Sequence, residues 1–209
     1  FDEESGNIAY DQSSYGNDGT IYGATRVKGI TGKALSFNGV DNYVEVSHIS
    51  LDTGFTILFW IKTTETDDWK YPIANEGAQP FSAGVKGWRF SLGVGGNESN
   101  FDLSESTTNY SRARGGKIND GKWHFITLWW DGSTQRIYVD GVKKDEKHFS
   151  GDISNTKPIT IGCSADLSQY FNGIIDEVRV YSGALSEKEI KTLYYYGIQS
   201  LRHAPYLLR

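Results

Sequence analysis

The sequence predicts an all-β fold, a β-sandwich with one short C-terminal helix. Short runs of apolar or alternating residues recur along the 209 residues, and clusters of Gly, Asn and Asp separate them. Only one segment carries a helical pattern. With 38% hydrophobic and 14% aromatic residues, the chain can bury a large core.

Eleven segments are predicted as strands because their β-branched, aromatic and aliphatic residues stand between turn-forming residues. They cover residues 34–37, 43–46, 55–63, 71–75, 88–94, 100–103, 123–131, 136–139, 142–147, 159–161 and 171–181. Asp140-Gly141 supplies two positions that tolerate positive φ. The strands on either side of it are therefore predicted to form a hairpin with a type I′ turn.

The single predicted helix begins after Ser186. Ser186 and Glu189 have the spacing of a capping box, in which each side chain bonds the backbone of the other. Ile190, Leu193 and Tyr194 follow at helical spacing, and a helix stop is expected at residue 197, a glycine. The pattern predicts a surface helix that covers one edge of the sandwich.

Charge and cysteine content exclude several classes of protein. The formal net charge is −5 with acids and bases scattered, so no basic surface for nucleic acid is expected. No apolar run approaches the roughly 20 residues of a membrane span, so membrane insertion is not expected. Cys163 is the only cysteine, which excludes an internal disulfide. We expect a fragment or processed product of an extracellular or cell-surface protein, with any export signal outside this chain.

The predicted strand 171–181 contains an aspartate in an apolar setting. Simple alternation puts Asp176 on one face with Val178 and Val180. A buried carboxylate there needs a metal, a cation or several N–H donors. Two further segments, 11–19 and 37–43, are also rich in Asp, Asn and Gly.

Six segments, in this order, resemble those of a known family. They are the opening with Gly-Asn-Asp-Gly-Thr at 16–20, Gly-Lys-Ala-Leu-Ser-Phe-Asn-Gly at 32–39, the strand 55–62, Gly-Lys-Trp-His-Phe at 121–125, the Asp-Gly pair of turns within 131–141, and Ile-Asp-Glu-Val-Arg-Val-Tyr at 175–181 followed by the helix. Through them the chain resembles a laminin G-like domain of the concanavalin A-like lectin/glucanase superfamily over nearly its whole length. The resemblance implies two antiparallel sheets packed as a jelly roll.

The resemblance also implies one structural calcium ion. The residues at the matching positions are Asp11, Asn17, Asn38, Asp41 and Asp176. Calcium prefers six to eight oxygen ligands, and carboxylates, amides and glycine-rich loops supply them. The alternative is that Asp11, Asn17 and Asn38 only shape turns, as Asp and Asn side chains commonly do. In that case Asp176 would pair with Arg26 or Lys33.

Catalysis is not expected. Retaining glycosidases of this superfamily place two acids on one strand as Glu-x-Asp-x-Glu or Glu-x-Asp-x-x-Glu, and the sequence has no such run. Asp176 and Glu177 are adjacent, so on a regular strand they point to opposite faces. The chain is therefore predicted to be a non-catalytic module, or the binding module of a larger glycan-active enzyme.

Aromatic residues supply the candidate ligand-binding face. Sugars stack on aromatic rings and hydrogen-bond to polar side chains, and loops on a rigid scaffold often carry such residues. The predicted set is Trp69, Trp88, Tyr110, Arg112 and Trp129, four of them from the variable region 65–115 and the last a ring beyond those the family usually has. The alternative for each is partial burial beneath neighbouring loops, because Trp is usually buried.

Residues 1–197 are predicted to form one laminin G-like domain, with 198–209 as a C-terminal tail or linker. The leading functional prediction is an extracellular carbohydrate-binding or adhesion module whose partner is a glycan or a cell-surface protein. The alternative is a structural subunit or surface decoration of a filament, virion or cell-surface assembly. In that alternative, the C-terminal tail would mediate self-assembly.

Overall fold

The protein is a two-sheet β-sandwich, described here from a computed structural model that covers residues 1–76 and 86–202. The first sheet has eight strands in the order β1-β2-β5-β14-β7-β8-β9-β10. Their bounds are β1 Ile8–Ala9, β2 Gly19–Tyr22, β5 Tyr43–Val46, β14 Ile159–Ile161, β7 Lys70–Ala74, β8 Gly87–Leu92, β9 Ser99–Ser104 and β10 Tyr110–Gly116. A 3-10 turn at Val94–Gly96 precedes β9.

The second sheet has seven strands in the order β13-β12-β11-β6-β15-β4-β3. Their bounds are β13 Val142–His148, β12 Thr134–Val139, β11 Trp123–Trp130, β6 Phe55–Lys62, β15 Asn172–Tyr181, β4 Lys33–Asn38 and β3 Thr25–Lys28. All strand pairs in both sheets are antiparallel. The predicted fold class is confirmed, although β1, β2, β3 and β10 were not among the predicted strands.

The main core lies between the sheets and follows from period-two alternation. On β8, Trp88 and Phe90 have no exposed surface and join this core, while Arg89 between them points to the other side of its sheet. Phe55 and Phe59 on β6 face them from the second sheet, and the rings of Phe55 and Trp88 are 5.6 Å apart. Burial of these large rings supplies much of the driving force for folding.

A helix, α1 (Glu187–Arg202), covers the outer face of the second sheet. The predicted capping box is confirmed, since Glu189 accepts hydrogen bonds from the Ser186 N–H at 2.8 Å and hydroxyl at 2.6 Å. The expected stop at Gly197 is wrong, because the helix continues past it. A Cβ at Gly197 would lie 2.6 Å from the Trp60 ring, so this glycine allows close packing rather than a cap.

The domain boundary predicted after residue 197 therefore falls inside α1. Residues 203–209 lie outside the described residues. The predicted role of the C-terminal tail in self-assembly depends on them and stays a prediction.

A β-bulge in β15 overturns the predicted faces of that strand. Asp176 pairs with Trp60 and Arg179 pairs with Leu58, so β15 has one extra residue between these pairs. Glu177 occupies this position with a φ of 50°. Asp176 therefore lies on the outer face with Trp60, and Val178 packs against the main core instead. The prediction that Asp176 shares a face with the valines is wrong.

Candidate ligand-binding site

A row of polar side chains crosses the outer face of the eight-stranded sheet. The strand register aligns Thr160 with Ala74, Ala74 with Arg89, Arg89 with Asp102, and Asp102 with Arg112. The residues that flank Arg89 and Asp102 along their strands face the core, so alternation sends these two charged side chains outward. The register thus gathers three charged groups from β8, β9 and β10.

Asp102 is held between two arginines. Arg89 donates from Nε to Asp102 Oδ2 at 3.0 Å, and Arg112 donates from Nε to Oδ1 at 2.6 Å and from Nη2 to Oδ2 at 3.1 Å. The side chains of Arg89 and Asp102 are fully buried, and that of Arg112 is 17% exposed. The two-pronged contact fixes the plane of the Arg112 guanidinium.

A second carboxylate, that of Glu76, lies beside Arg89. Its Oε1 is 3.5 Å from Arg89 Nη1, and its side chain has no exposed surface. Neither oxygen has a hydrogen-bond partner among the described residues. Burial raises the pKa of Glu76 to about 7, against the pull of the Arg89 charge.

Trp69 lies over the Arg112 end of this row. The Arg112 guanidinium carbon is 4.7 Å from the centre of the Trp69 ring, a cation–π contact. Trp69 has a φ of 55°, a left-handed conformation that is uncommon for a bulky residue and clusters at functional sites. Asp68 holds this loop in place by accepting the Gly95 N–H at 2.6 Å.

Three of the five predicted ligand-binding residues occupy this face. Trp69 contacts Arg112, and Tyr110 lies two residues before Arg112 on β10, with its side chain on the same face and 47% exposed. Trp69 and Arg112 are each partly exposed. We call Trp69, Tyr110 and Arg112 the Trp69 surface.

The other two predicted residues are not on it. Trp88 is fully buried in the main core, so its placement at a binding face is wrong. Trp129 lies on the second sheet beneath α1, is 6% exposed and donates from Nε1 to the Leu185 carbonyl at 2.8 Å. The prediction that Trp129 lies at a binding face is therefore also wrong, because α1 covers the outer face of the second sheet, where Trp129 lies.

The sequence interpretation missed Arg89, Asp102 and Glu76. A signal for the first two was present, since each interrupts an apolar strand between two core residues. A charged residue at an alternating position of a buried strand indicates a polar outer face. Glu76 has no comparable local signal, because its burial depends on tertiary contacts.

The predicted calcium ligands divide into separate places. Asp11 closes the loop before β2, accepting the Ser13 and Asn17 N–H groups at 2.8 Å each. Asn38 Oδ1 accepts the Val40 N–H at 2.9 Å, and its amide donates to Asp41 Oδ1 at 2.9 Å. Both are turn-shaping contacts of the kind expected for Asp and Asn.

Strand register separates Asn38 from Asp176. Asn38 pairs with Asn172, so it lies four residues along β15 from Asp176, which is about 13 Å at the usual rise per residue. Calcium–oxygen distances of about 2.3–2.6 Å cannot bridge that separation. A single ion bound by all five predicted residues is therefore excluded.

Asp176 is fully buried under the turn that joins β3 and β4. It accepts the Ile30 N–H at 2.8 Å and the Glu177 N–H at 2.8 Å. The alternative partners are wrong, because Arg26 pairs with Glu3 and Lys33 pairs with Glu4. Burial raises the pKa of Asp176 to about 6, against the opposing effect of these N–H donors.

Asp2 lies at the other end of the same turn. The Gly29 N–H donates to the Gly32 carbonyl at 3.0 Å. A Cβ at Gly29 would collide with the Asp176 carboxylate, and one at Gly32 would collide with that of Asp2. The described residues contain no group of three or more His, Cys, Asp or Glu side chains arranged to hold a metal.

A family model described as the concanavalin A-like lectin/glucanases superfamily matches residues 38–191. The chain is a laminin G-like domain of this superfamily. A curated relative of this laminin G-like domain is the adhesion G-protein coupled receptor V1 of Danio rerio, 25% identical over 96 residues. That match covers 44% of this chain and 2% of the receptor.

Solved structures support the same fold. The binding domain of Paraclostridial Mosquitocidal Protein 1 has a TM-score of 0.69 at 19% identity, covering 88% of this laminin G-like domain and 48% of that chain. A botulinum neurotoxin type C structure has a TM-score of 0.69 at 20% identity, with coverages of 90% and 48%. Domain 4 of AbnA, an extracellular arabinanase from Geobacillus stearothermophilus, has a TM-score of 0.67 at 22% identity, with coverages of 84% and 87%.

At these identities the likeness shows the fold alone. The laminin G-like domain spans about half the length of the first two of these solved chains. Across the described ranges, no helix has the length and apolar character needed to cross a membrane.

Proposed function

We propose that this laminin G-like domain is a non-catalytic carbohydrate-binding module of an extracellular or cell-surface protein, and that the Trp69 surface is its binding site. The convergence of Trp69, Tyr110 and Arg112 on one outer sheet face carries the proposal. Loops and strands distant in sequence bring an indole, a phenol and an oriented guanidinium together. Carbohydrate sites use this combination of ring faces and fixed polar groups.

Each group has a role set by its contacts. The exposed parts of Trp69 and Tyr110 would stack against pyranose or furanose faces. The contact with Asp102 keeps the Arg112 guanidinium in one orientation, so its side chain is ordered before a ligand arrives. Buried charges beneath the surface hold β8, β9 and β10 in register.

The similar proteins support this class of function. Cell entry of botulinum neurotoxin type C depends on interaction with two ganglioside molecules, and domain 4 of the arabinanase was solved in complex with arabinotriose. The curated relative is an adhesion receptor. They favour a glycan or a cell-surface protein as the partner of this chain.

The test is binding of the full chain to a glycan array, followed by calorimetry with the best ligand. Trp69→Ala and Tyr110→Ala should each weaken binding at least about tenfold, because each removes a stacking ring. Arg112→Lys should weaken it as well, since lysine cannot make the two-pronged contact. Arg179→Ala, which removes a paired arginine on the opposite sheet, is the matched control.

Thermal melting of every variant separates lost binding from lost folding. Unchanged affinity in both aromatic variants, with the fold intact, would refute the Trp69 surface as the site. Absence of any glycan binding by the wild type would refute the carbohydrate class itself.

We also propose a narrower calcium site, with Asp176 as its main ligand and Asp2 as the second carboxylate. Two observations support it: Asp176 is a buried carboxylate without an ion-pair partner among the described residues, and both acids lie against the Gly29–Gly32 turn. When bound, calcium would neutralise this charge and tie the N-terminal segment to β15. Its role would be structural.

Thermal melting with excess calcium and with chelator tests this. A free calcium concentration about 100 times the Kd would stabilise the fold by about 2.7 kcal/mol. Asp176→Asn and Asp2→Asn should lose the response, and Asp41→Asn should keep it. Identical wild-type melting curves in calcium and chelator would rule the ion out.

A further inference from the structure

Three tyrosines form a second aromatic surface at the other end of the eight-stranded sheet. Tyr22 on β2 pairs with Tyr43 on β5, and their rings stack with centroids 4.5 Å apart and planes 13° apart. Tyr170, just before β15, places its ring 6.5 Å from that of Tyr43 at 53°. Tyr22 is 42% exposed, and the other two are partly exposed. We call these three rings the tyrosine patch.

Several polar groups of the patch have no hydrogen-bond partner among the described residues. Within the described part of the chain, none of the three phenol hydroxyls takes part in a hydrogen bond, and the Glu45 carboxylate has neither a hydrogen bond nor an ion pair. Glu45 lies two residues from Tyr43 on the same face of β5. Asp41, beside the patch, accepts hydrogen bonds from the Asn38 and Asn42 amides through Oδ1 and has no ion-pair partner in the described ranges.

The charges and ring geometry of the tyrosine patch indicate which kind of ligand it could bind. Carboxylates without a nearby cation repel acidic groups, but they accept hydrogen bonds from hydroxyl groups. The parallel stack closes the facing sides of Tyr22 and Tyr43, so these rings cannot enclose a cation between them as an aromatic cage does. Exposed ring faces beside free acceptors and phenol hydroxyls instead suit a sugar ring with several hydroxyls.

We propose that the tyrosine patch is a second carbohydrate site, which takes uncharged saccharides. It is separate from the Trp69 surface. Glu45 pairs with Thr160, and the row from Thr160 ends at Arg112 five strands away from β5, about 24 Å at the usual strand spacing. Two sites at this separation would let one chain bind a polysaccharide at two points, which raises avidity without new contacts.

The experiment is a titration of the full chain followed by the aromatic NMR signals of tyrosine and tryptophan. The probes are cellotriose, xylotriose and arabinotriose as uncharged sugars, 3′-sialyllactose as an acidic sugar, and tetramethylammonium as a cation. Tyr22→Phe and Tyr43→Phe assign the ring signals and retain the rings. Tyr22→Ala and Tyr43→Ala remove them, and Tyr195→Ala, a 60% exposed tyrosine on α1, is the control.

We expect at least one uncharged trisaccharide to shift the Tyr22 and Tyr43 signals. Its affinity should fall about tenfold in Tyr22→Ala and Tyr43→Ala and stay unchanged in Tyr195→Ala. No shift with any of the three sugars overturns the proposal, and so does a response to tetramethylammonium or sialyllactose alone. Should Tyr43→Ala fail to fold, Tyr22→Ala decides, because Tyr22 is the more exposed ring.

Failure here is distinguishable from failure of the proposed function. In Trp69→Ala the tyrosine signals should still respond, and in Tyr22→Ala the Trp69 indole signal should still respond to ligands of the Trp69 surface. If the Tyr22 and Tyr43 signals no longer responded to sugar in Trp69→Ala, the two surfaces would form one shared site, and the proposal of a second site would be overturned.

Discussion

Glu76→Gln should make the protein more stable at neutral to alkaline pH. Glu76 is fully buried, its carboxylate oxygens have no hydrogen-bond partner among the described residues, and Arg89 is its nearest cation at 3.5 Å. Glutamine has nearly the same shape and carries no charge. The variant therefore removes the cost of burying the carboxylate and retains the packing around it.

The size of the stability gain follows from the pKa of Glu76 in the folded chain. Burial raises the pKa of Glu76 from 4.5 to about 7 in the folded chain. Between these values the folded state holds a proton that the unfolded state has released, so stability falls as the pH rises through this window. One pKa unit corresponds to about 1.36 kcal/mol, so this group lowers stability by about 3 kcal/mol above the window.

Urea unfolding of wild type and variant gives the comparison, at a pH below 4.5 and at a pH above 7. The two proteins should be about equally stable at the lower pH, and the variant should be more stable at the higher pH. Glu4→Gln, whose carboxylate is 92% exposed, controls for the loss of one negative charge. A Glu76→Gln variant no more stable than wild type above pH 7 would show that the ionised carboxylate is compensated, and the reasoning would fail.

His124 and Gly197 provide two further predictions. Protonated His124 donates hydrogen bonds to the carboxylates of Asp140 at 2.9 Å and Asp120 at 3.1 Å, and these contacts raise the pKa of His124. The contribution of protonated His124 to the stability of the fold should be complete below pH 6.5 and lost as the pH rises through the raised pKa. The difference in melting temperature between wild type and His124→Gln should therefore shrink as the pH rises, and a difference that does not change with pH contradicts this. Gly197→Ala should lower the unfolding free energy by about 1–3 kcal/mol, although alanine favours the helix, because the added Cβ would clash with the Trp60 ring. A variant more stable than wild type in urea unfolding would refute this prediction.

The local sequence patterns predicted most of the strands well. Alternation and turn chemistry placed eleven strands and the Asp140-Gly141 turn, where both residues have positive φ. The four unpredicted strands have weaker apolar patterns. Among them is β10, which carries Tyr110 and Arg112, and its side chains are mostly polar because one face is outward.

The candidate binding site was only partly predictable. Trp69, Tyr110 and Arg112 lie on one surface, whereas Trp88 and Trp129 are buried elsewhere. Aromatic composition alone cannot separate a ring that stacks on a ligand from one that packs in a core, because both roles favour large rings. Tyr22, Tyr43 and Tyr170 come from three distant segments, and no local pattern indicates that they meet.

The sequence by itself determined the fold class, the family resemblance and the start of the helix, since these depend on residues close together in the chain. Only the tertiary structure decided which sheet faces and side chains are exposed. The bulge at Glu177 reversed the side of β15 on which Asp176 lies, and α1 covered the face with Trp129. Register across five strands brought charged residues into one row. Such placements depend on pairing between distant segments, which local periodicity does not encode.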